Sequence, residues 1–257
     1  MAITIKSKKE IGILREGGKR LASVLAKVSA EVRPGVSSRE LNDLAEKLIR
    51  EGGDTPSFLG YAPSGAKRAY PASICVSVND EVVHGIPNEE EKILKEGDIV
   101  TLDGGLIHEG LFTDHAVTVG VGKIDEGAQK LLETTQKALA VGVKAVSAGA
   151  TTGDAGFAIE QFVKPFGYGI VRELAGHGVG YAVHEEPFVP NFGKKGEGTL
   201  LKAGMVIAIE PMLNEGDAGV KLAKDGYTYI TKDGSRSAHF EHTVVVTEKG
   251  ADILTRV

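Results

Sequence analysis

Four carboxylates in this 257-residue chain interrupt segments that otherwise read as buried strands. Asp103 and Asp114 lie in TLDGGLIHEGLFTDHAVTV, Glu210 ends MVIAIE and is followed at once by Pro211, and Glu241 sits inside HFEHTVVVT. Acidic residues are disfavoured in strands, and an unpaired buried carboxylate is costly. Each therefore needs a cationic partner or an exposed position. If His108-Glu109 is the turn between the two apolar runs, Asp103 and Asp114 are equally far from it and face each other directly, with Cβ atoms about 4.5–5.5 Å apart. Carboxylates that close repel unless a cation lies between them, and carboxylate oxygens suit divalent metal ions. Pro211 ends its strand and restricts the backbone of Glu210. The bland alternatives are two aspartates on a solvated hairpin and structural salt bridges for Glu210 and Glu241.

Three histidines accompany the acids. His177 lies in AGHGVG, where Gly176, Gly178 and Gly180 permit tight backbone and leave room for a ligand. His184 follows seven residues later in VHEEP, an interval that would put the two on opposite faces of a regular strand. An irregular, glycine-rich segment lets both face one cleft. His84 lies in VVHGIP, after a strand and before a turn. Taken singly, each is an ordinary polar-tipped histidine. Taken together, four carboxylates and one imidazole suffice to hold two divalent ions about 3.5–4 Å apart, with a bridging water or hydroxide as nucleophile. A free carboxylate oxygen or a nearby histidine can then move protons. The residues alone point to a dimetal hydrolase.

Other chemistry is poorly supported. Cys75 alternates with Ile74 and Val76 in an apolar strand, where a thiol is usually inert. HExxH is absent, no GxGxxG follows a strand near the start, and there is no Walker motif.

The elements that must position these residues come in a simple order. Ile11, Leu14, Leu21, Leu25 and Val28 predict a helix from about Ser7 to Ala30, stopped by Arg33-Pro34-Gly35. Ser37 or Ser38 caps a second helix carrying Leu41, Leu44 and Leu48, which ends near Gly52-Gly53. A loop runs from Pro56 to Pro71. SICVSV, DIVTLDGGLI and LFTDHAVTVGV then read as strands. Two more helices span about 126–146 and 154–166, and strand-like pieces follow: IVREL, MVIAIE, YTYIT and HFEHTVVVT. Helices, strands, helices, strands suggest an α+β unit repeated by a pseudo-two-fold axis around antiparallel sheet. No linker of biased composition separates the halves, so residues 1–257 are expected to form one domain.

Composition bounds the rest. The chain is 42% hydrophobic and 25% charged, enough for a core and unlike a disordered chain. A net charge of −5 argues against a dedicated nucleic-acid or anionic-membrane binder, and 5% aromatics with no tryptophan weakens base stacking. One cysteine excludes an internal disulfide and any cysteine-based zinc cluster. With no apolar core after MAITIKSKKE and no long apolar run, a reducing cytoplasm is expected. A monomer is the default, since no exposed coiled coil or long apolar patch can be read.

The chain closely resembles the methionine aminopeptidases of type I, of the pita-bread fold, from about Ile3 to Thr255. VVHGIP, LDGGLIHEGLFTDHAVTV, GHGVGYAVHEEP, AIEPM and SAHFEHTVVVT carry the resemblance, in the family's order and with its eleven-residue Asp–Asp interval. The resemblance implies two divalent ions, Mn²⁺, Fe²⁺, Co²⁺ or Zn²⁺. Asp103 would bind the second site through both oxygens, Asp114 and Glu241 would bridge, and His177 and Glu210 would complete the first site. Glu210 would accept the proton of the nucleophilic water. His84 would contact the nitrogen near the scissile bond, and His184 the scissile carbonyl or tetrahedral intermediate. The family removes initiator methionine from nascent peptides whose second residue is small, which implies transient proximity to the ribosome.

Tyr70, Cys75, Val183, Tyr227 and Phe240 would wall the methionine pocket. Val183 replaces a common aromatic, Tyr227 a frequent tryptophan, and the stretch 60–67 is longer than the compact family pattern. The intervals His177–Glu210 and Glu210–Glu241, 33 and 31 residues, leave no room for the helical insertion of type II enzymes. With only a few residues ahead of the first helix, zinc-binding and ribosome-associated N-terminal extensions are not expected. Two rivals share the fold. Proline-specific peptidases are expected to carry a further N-terminal domain. A non-enzymatic scaffold would have lost ligands, and here all five are present.

Overall fold

Ser7 and Ser37 each start a helix by the same device. The Ser7 hydroxyl accepts from the Glu10 N–H at 3.3 Å while the Glu10 carboxylate accepts from the Ser7 N–H at 2.7 Å, opening α1 (Lys8–Ala30). Ser37 and Glu40 repeat the exchange at the head of α2 (Ser38–Glu51). The computed structural model describes residues 3–63 and 65–257; Met1, Ala2 and Ser64, the last within the long stretch expected at 60–67, lie outside the described residues.

The strands β1 (Thr55–Pro56), β2 (Ile74–Val78), β3 (Glu81–Val83), β4 (Ile99–His108) and β5 (Leu111–Gly120) follow. Then come α3 (Glu126–Lys144), capped by Asp125, and α4 (Thr152–Val163), capped by Thr151. α4 stops short of the expected Phe166 because Pro165 has no N–H for a further α-turn, and residues 164–166 form a 3₁₀ turn. The second strand set is β6 (Gly169–Ile170), β7 (Gly176–Gly178), β8 (Glu185–Val189), β9 (Val206–Ile209), β10 (Met212–Asn214), β11 (Val220–Leu222), β12 (Tyr229–Thr231), β13 (Ser237–His239), β14 (Glu241–Thr247) and β15 (Gly250–Ile253).

Nine strands form one antiparallel sheet in the order β1-β4-β5-β14-β9-β7-β8, with β2 on β4 and β15 on β14. Two three-stranded sheets, β13-β10-β6 and β11-β12-β3, lie beside it. Two segments expected as single strands differ. IVREL supplies only Ile170 to β6; beyond it Arg172 turns outward to pair with Glu160 at 2.8 Å. HFEHTVVVT breaks at Phe240, so that β13 joins a small sheet and β14 the large one.

The β4–β5 hairpin corrects the expected turn by one residue. His108 pairs with Leu111, and the turn is Glu109-Gly110 with φ of 46° and 81°. Positive φ at both central positions is the two-residue geometry that matches strand twist, and Gly110 adopts it without steric cost. Asp103 therefore faces Ala116, and Asp114 faces Gly105. The two aspartates are diagonal neighbours on one face, a spacing of roughly 7–8 Å, rather than directly opposed.

Period-two alternation sends apolar residues to the opposite face, where the helices pack. Leu102 and Leu106 join Leu21, Leu25, Leu41 and Ile49 in one core. Ile207, Ile209, Val244 and Val246 join Leu131, Leu139 and Ile159 in another. No helix among the described residues is long and apolar enough to cross a membrane.

Candidate metal centre and active-site cavity

Five neighbouring strands each deliver one predicted ligand. In sheet order these are Asp103 on β4, Asp114 on β5, Glu241 on β14, Glu210 immediately after β9, and His177 on β7. Asp114, His177 and Glu241 bring ligand atoms within 4.8 Å of one another. His177 Nε2 lies 3.4 Å from Glu210 Oε1 and 3.9 Å from Asp114 Oδ2. All five line one cavity of about 100 Å³ together with His84, His184, Tyr70, Cys75 and Tyr227.

Electrostatically the cluster is incomplete without cations. Burial raises the Asp114 carboxyl well above its usual range, and Asp103 and Glu210 push it further. Glu241 is raised by burial, then by Asp114, Glu210 and Asp103. Asp103 is pushed up to about 7, chiefly by burial, and burial also raises Glu210. Glu241 Oε1 is buried with no hydrogen-bond partner among the described residues. Four mutually repelling oxygen donors, one left unpaired, with an imidazole beside them fit hard or borderline divalent ions.

The imidazoles are neutral. Burial, then the neighbouring His184, lowers His177 to about 3. Burial, then His184 and His239, lowers His84 to about 4, and burial lowers His184. His84 has φ of 60°, rare for a residue with a side chain and a conformation that gathers at functional sites. The loop after β7 brings the His177 and His184 rings to 4.4 Å, edge to face. The glycines around His177 serve backbone packing rather than ligand space: a Cβ at Gly176 would meet Ala208 O at 2.3 Å, and one at Gly178 would meet Glu186 O at 2.2 Å.

Lys6 and Glu185 hold the loop that carries His184. Their side chains pair at 2.7 Å and are both buried. The second oxygen of Glu185 accepts from the Tyr181 N–H and, at 3.1 Å, the Ala182 N–H.

The apolar wall differs in part from expectation. Tyr70, Cys75 and Tyr227 border the cavity, and the Tyr70 and Tyr227 rings meet edge to face at 5.2 Å. Cys75 pairs with Asp103 across β2–β4, and burial, then that carboxylate, keeps its thiol protonated. Val183 packs in the same apolar cluster with Phe58, Tyr70 and Cys75 but is not among the residues bordering the cavity. Phe240 is a correction. It packs in the core with Leu131 and Leu139 and lines a separate cavity on the helix side of the sheet, because alternation turns it away from the face shared by its neighbours His239 and Glu241.

Phe58, Tyr61, Pro63, Val83 and His239 also line the cavity without having been expected there, and two of them, His239 and Tyr61, carry polar groups into it. His239 was legible in principle, since it lies two positions before Glu241. Tyr61, on the long loop, hydrogen-bonds His184 Nδ1 through its hydroxyl at 2.8 Å, a contact that no local spacing signals.

A fold that brings four buried acids and a neutral imidazole to one small cavity defines a metallopeptidase of the pita-bread class. Residues 12–248 match the model of metallopeptidase family M24, and the chain belongs to that family. It is 46% identical over 261 residues to the methionine aminopeptidase of Aquifex aeolicus, covering 100% of both chains. It matches the crystal structure of the methionine aminopeptidase of Thermotoga maritima with a TM-score of 0.95 at 41% identity, again covering 100% of both. The prolidase of Pyrococcus furiosus shares the fold at a TM-score of 0.79 and 26% identity, with 98% of this chain covering 65% of that one.

Proposed function

We propose that the protein is a dimetal aminopeptidase that releases N-terminal methionine from nascent proteins and peptides whose second residue is small and uncharged. The observation that carries the reading is the delivery of five donor side chains from five adjacent strands to one cavity. Asp103 would hold one ion, His177 and Glu210 the other, and Asp114 and Glu241 would be shared. When bound, the ions, from among Mn²⁺, Fe²⁺, Co²⁺ and Zn²⁺, supply Lewis acidity that polarises a carbonyl and eases deprotonation of water. The chain is read as one domain of two pseudo-symmetric halves, acting as a monomer in a reducing cytoplasm.

The remaining work falls to the chain's own groups. Glu210 takes the proton of the attacking water and passes it on to the leaving amine. His84 meets the nitrogen of the scissile bond. If the Tyr61 hydroxyl donates to His184 Nδ1, the proton of this neutral ring sits on Nε2, where it can be given to the developing oxyanion. The acidic cavity favours a free α-ammonium. Tyr70, Cys75 and Tyr227 offer an apolar, sulfur-containing wall to an unbranched thioether.

Metal removal tests this reading, with the pH dependence as its signature. The raised carboxyls bind protons in the metal-free fold that they release when unfolded, so they favour the fold below their unfolded pKa, and that contribution is lost as pH rises through the raised values, about 7 for Asp103. Metal must displace the same protons. Chelation is expected to abolish hydrolysis of Met-Ala-Ser, Mn²⁺ or Co²⁺ to restore it, and Mn²⁺ to raise Tm more at pH 8 than at pH 5.5. Full activity of a rigorously metal-free sample, or an equal Tm shift at both pH values, contradicts it.

A further inference from the structure

His239 lines the same cavity, 1% exposed, and neither ring nitrogen has a hydrogen-bond partner among the described residues. A buried imidazole needs an outlet for its N–H, since a buried donor left without an acceptor pays its full desolvation cost. Its backbone is clamped. The His239 N–H donates to Thr118 Oγ1 at 2.9 Å, the same hydroxyl donates to the His239 carbonyl at 2.7 Å, and Met212 pairs with it from β10. The ring is thereby aimed at Glu210, with Nε2 3.5 Å from Oε2. The other oxygen, Oε1, faces His177. The Glu210 carboxylate thus lies between two imidazoles, only one of which belongs to the cluster whose donor atoms converge within 4.8 Å.

We propose that His239 is a positioning residue that donates Nε2–H to Glu210 Oε2 and so turns Oε1 toward the first metal site. This inference rests on the dimetal reading above. Outer partners of ligating carboxylates fix ligand orientation, and losing one typically costs about 10–100-fold in metal affinity. Donation also settles the ring tautomer, with the proton on Nε2.

The test is calorimetric titration of Co²⁺ into metal-free protein, with the visible spectrum of the Co²⁺ form recorded alongside. His239→Leu removes the donor while keeping most of the volume, and His239→Phe serves if the leucine variant is unstable by circular dichroism. His239→Gln keeps a donor. The expected result is first-site affinity about 10–100-fold weaker in the Leu or Phe variant, near wild type in the Gln variant, and a wild-type Co²⁺ spectrum in the Gln variant. Unchanged affinity in a folded Leu or Phe variant overturns the proposal while leaving the dimetal reading intact. So does equal loss in all variants with an altered Gln-variant spectrum, which would make His239 a direct ligand. A wild-type chain that binds no Co²⁺ overturns both.

Discussion

At the scale of single residues, the acids that break apolar strands were the most legible feature of the sequence. A carboxylate is rare in a buried strand, so Asp103, Asp114 and Glu241 announced themselves by type and place. His239 did not, although it shares their face. Histidine is unexceptional in a strand, and its neighbour Glu210 lies 29 residues earlier in the chain, so their approach to 3.5 Å is a tertiary fact. The Phe240 misplacement has the same root: one position along a strand reverses the face, and aromatic character alone does not reveal which way it points. His84 and His184 line the cavity outside the ligand cluster, which separates chemistry from metal retention. His84→Ala and His184→Ala are each expected to lower kcat/KM about 10²-fold or more, the loss of one transition-state contact, while metal content by elemental analysis stays at the wild-type level. Loss of a metal equivalent in either variant would make that histidine a ligand.

At the scale of elements, the helix starts near Ser7 and Ser37 were readable because capping acts on its own turn, whereas the Thr151 cap and the stop at Pro165, equally local, were passed over and left α4 expected at about 154–166. The β4–β5 hairpin was readable to within one turn residue. Moving the turn from His108-Glu109 to Glu109-Gly110 shifts the cross-strand partner by two, which preserves the face and keeps both aspartates in the cavity. What could not be read were tertiary ties such as Lys6–Glu185, which join residues 179 apart in sequence. Burial alone would raise the Glu185 pKa, but Lys6, Thr4 and the Tyr181 N–H outweigh it and lower it. The stability it contributes is therefore present above the unfolded glutamate pKa and lost as pH falls through the lowered one. Lys6→Ala leaves that carboxylate buried and unpaired, and is expected to cost about 3–5 kcal/mol in urea unfolding at neutral pH. The His184 loop hangs from the same carboxylate, so kcat/KM should fall as well. A cost below about 1 kcal/mol, the range of an exposed pair, would show that the tie is dispensable.

At the scale of the whole molecule, Asp114 and Glu241 lie on the paired strands β5 and β14, Asp103 and Glu210 one strand further out on either side, and His177 on β7 beyond Glu210 with no counterpart. Alternating helix and strand sets suggested two halves, and no local pattern signals that β5 and β14 pair at the site. The central claim is that this cavity takes a free N-terminal methionine, and a timed digest of four peptides under one metal condition tests it most directly. Met-Ala-Ser should be cut fastest and Met-Lys-Ser poorly. Leu-Ala-Ser should be cut about 10–200-fold more slowly than Met-Ala-Ser, the range over which an apolar pocket separates near neighbours. Acetyl-Met-Ala-Ser should remain intact, because the acidic cavity is expected to require the free amine. Preference for leucine over methionine, or equal cutting of the acetylated peptide, would contradict the account even in a protein loaded with both metals.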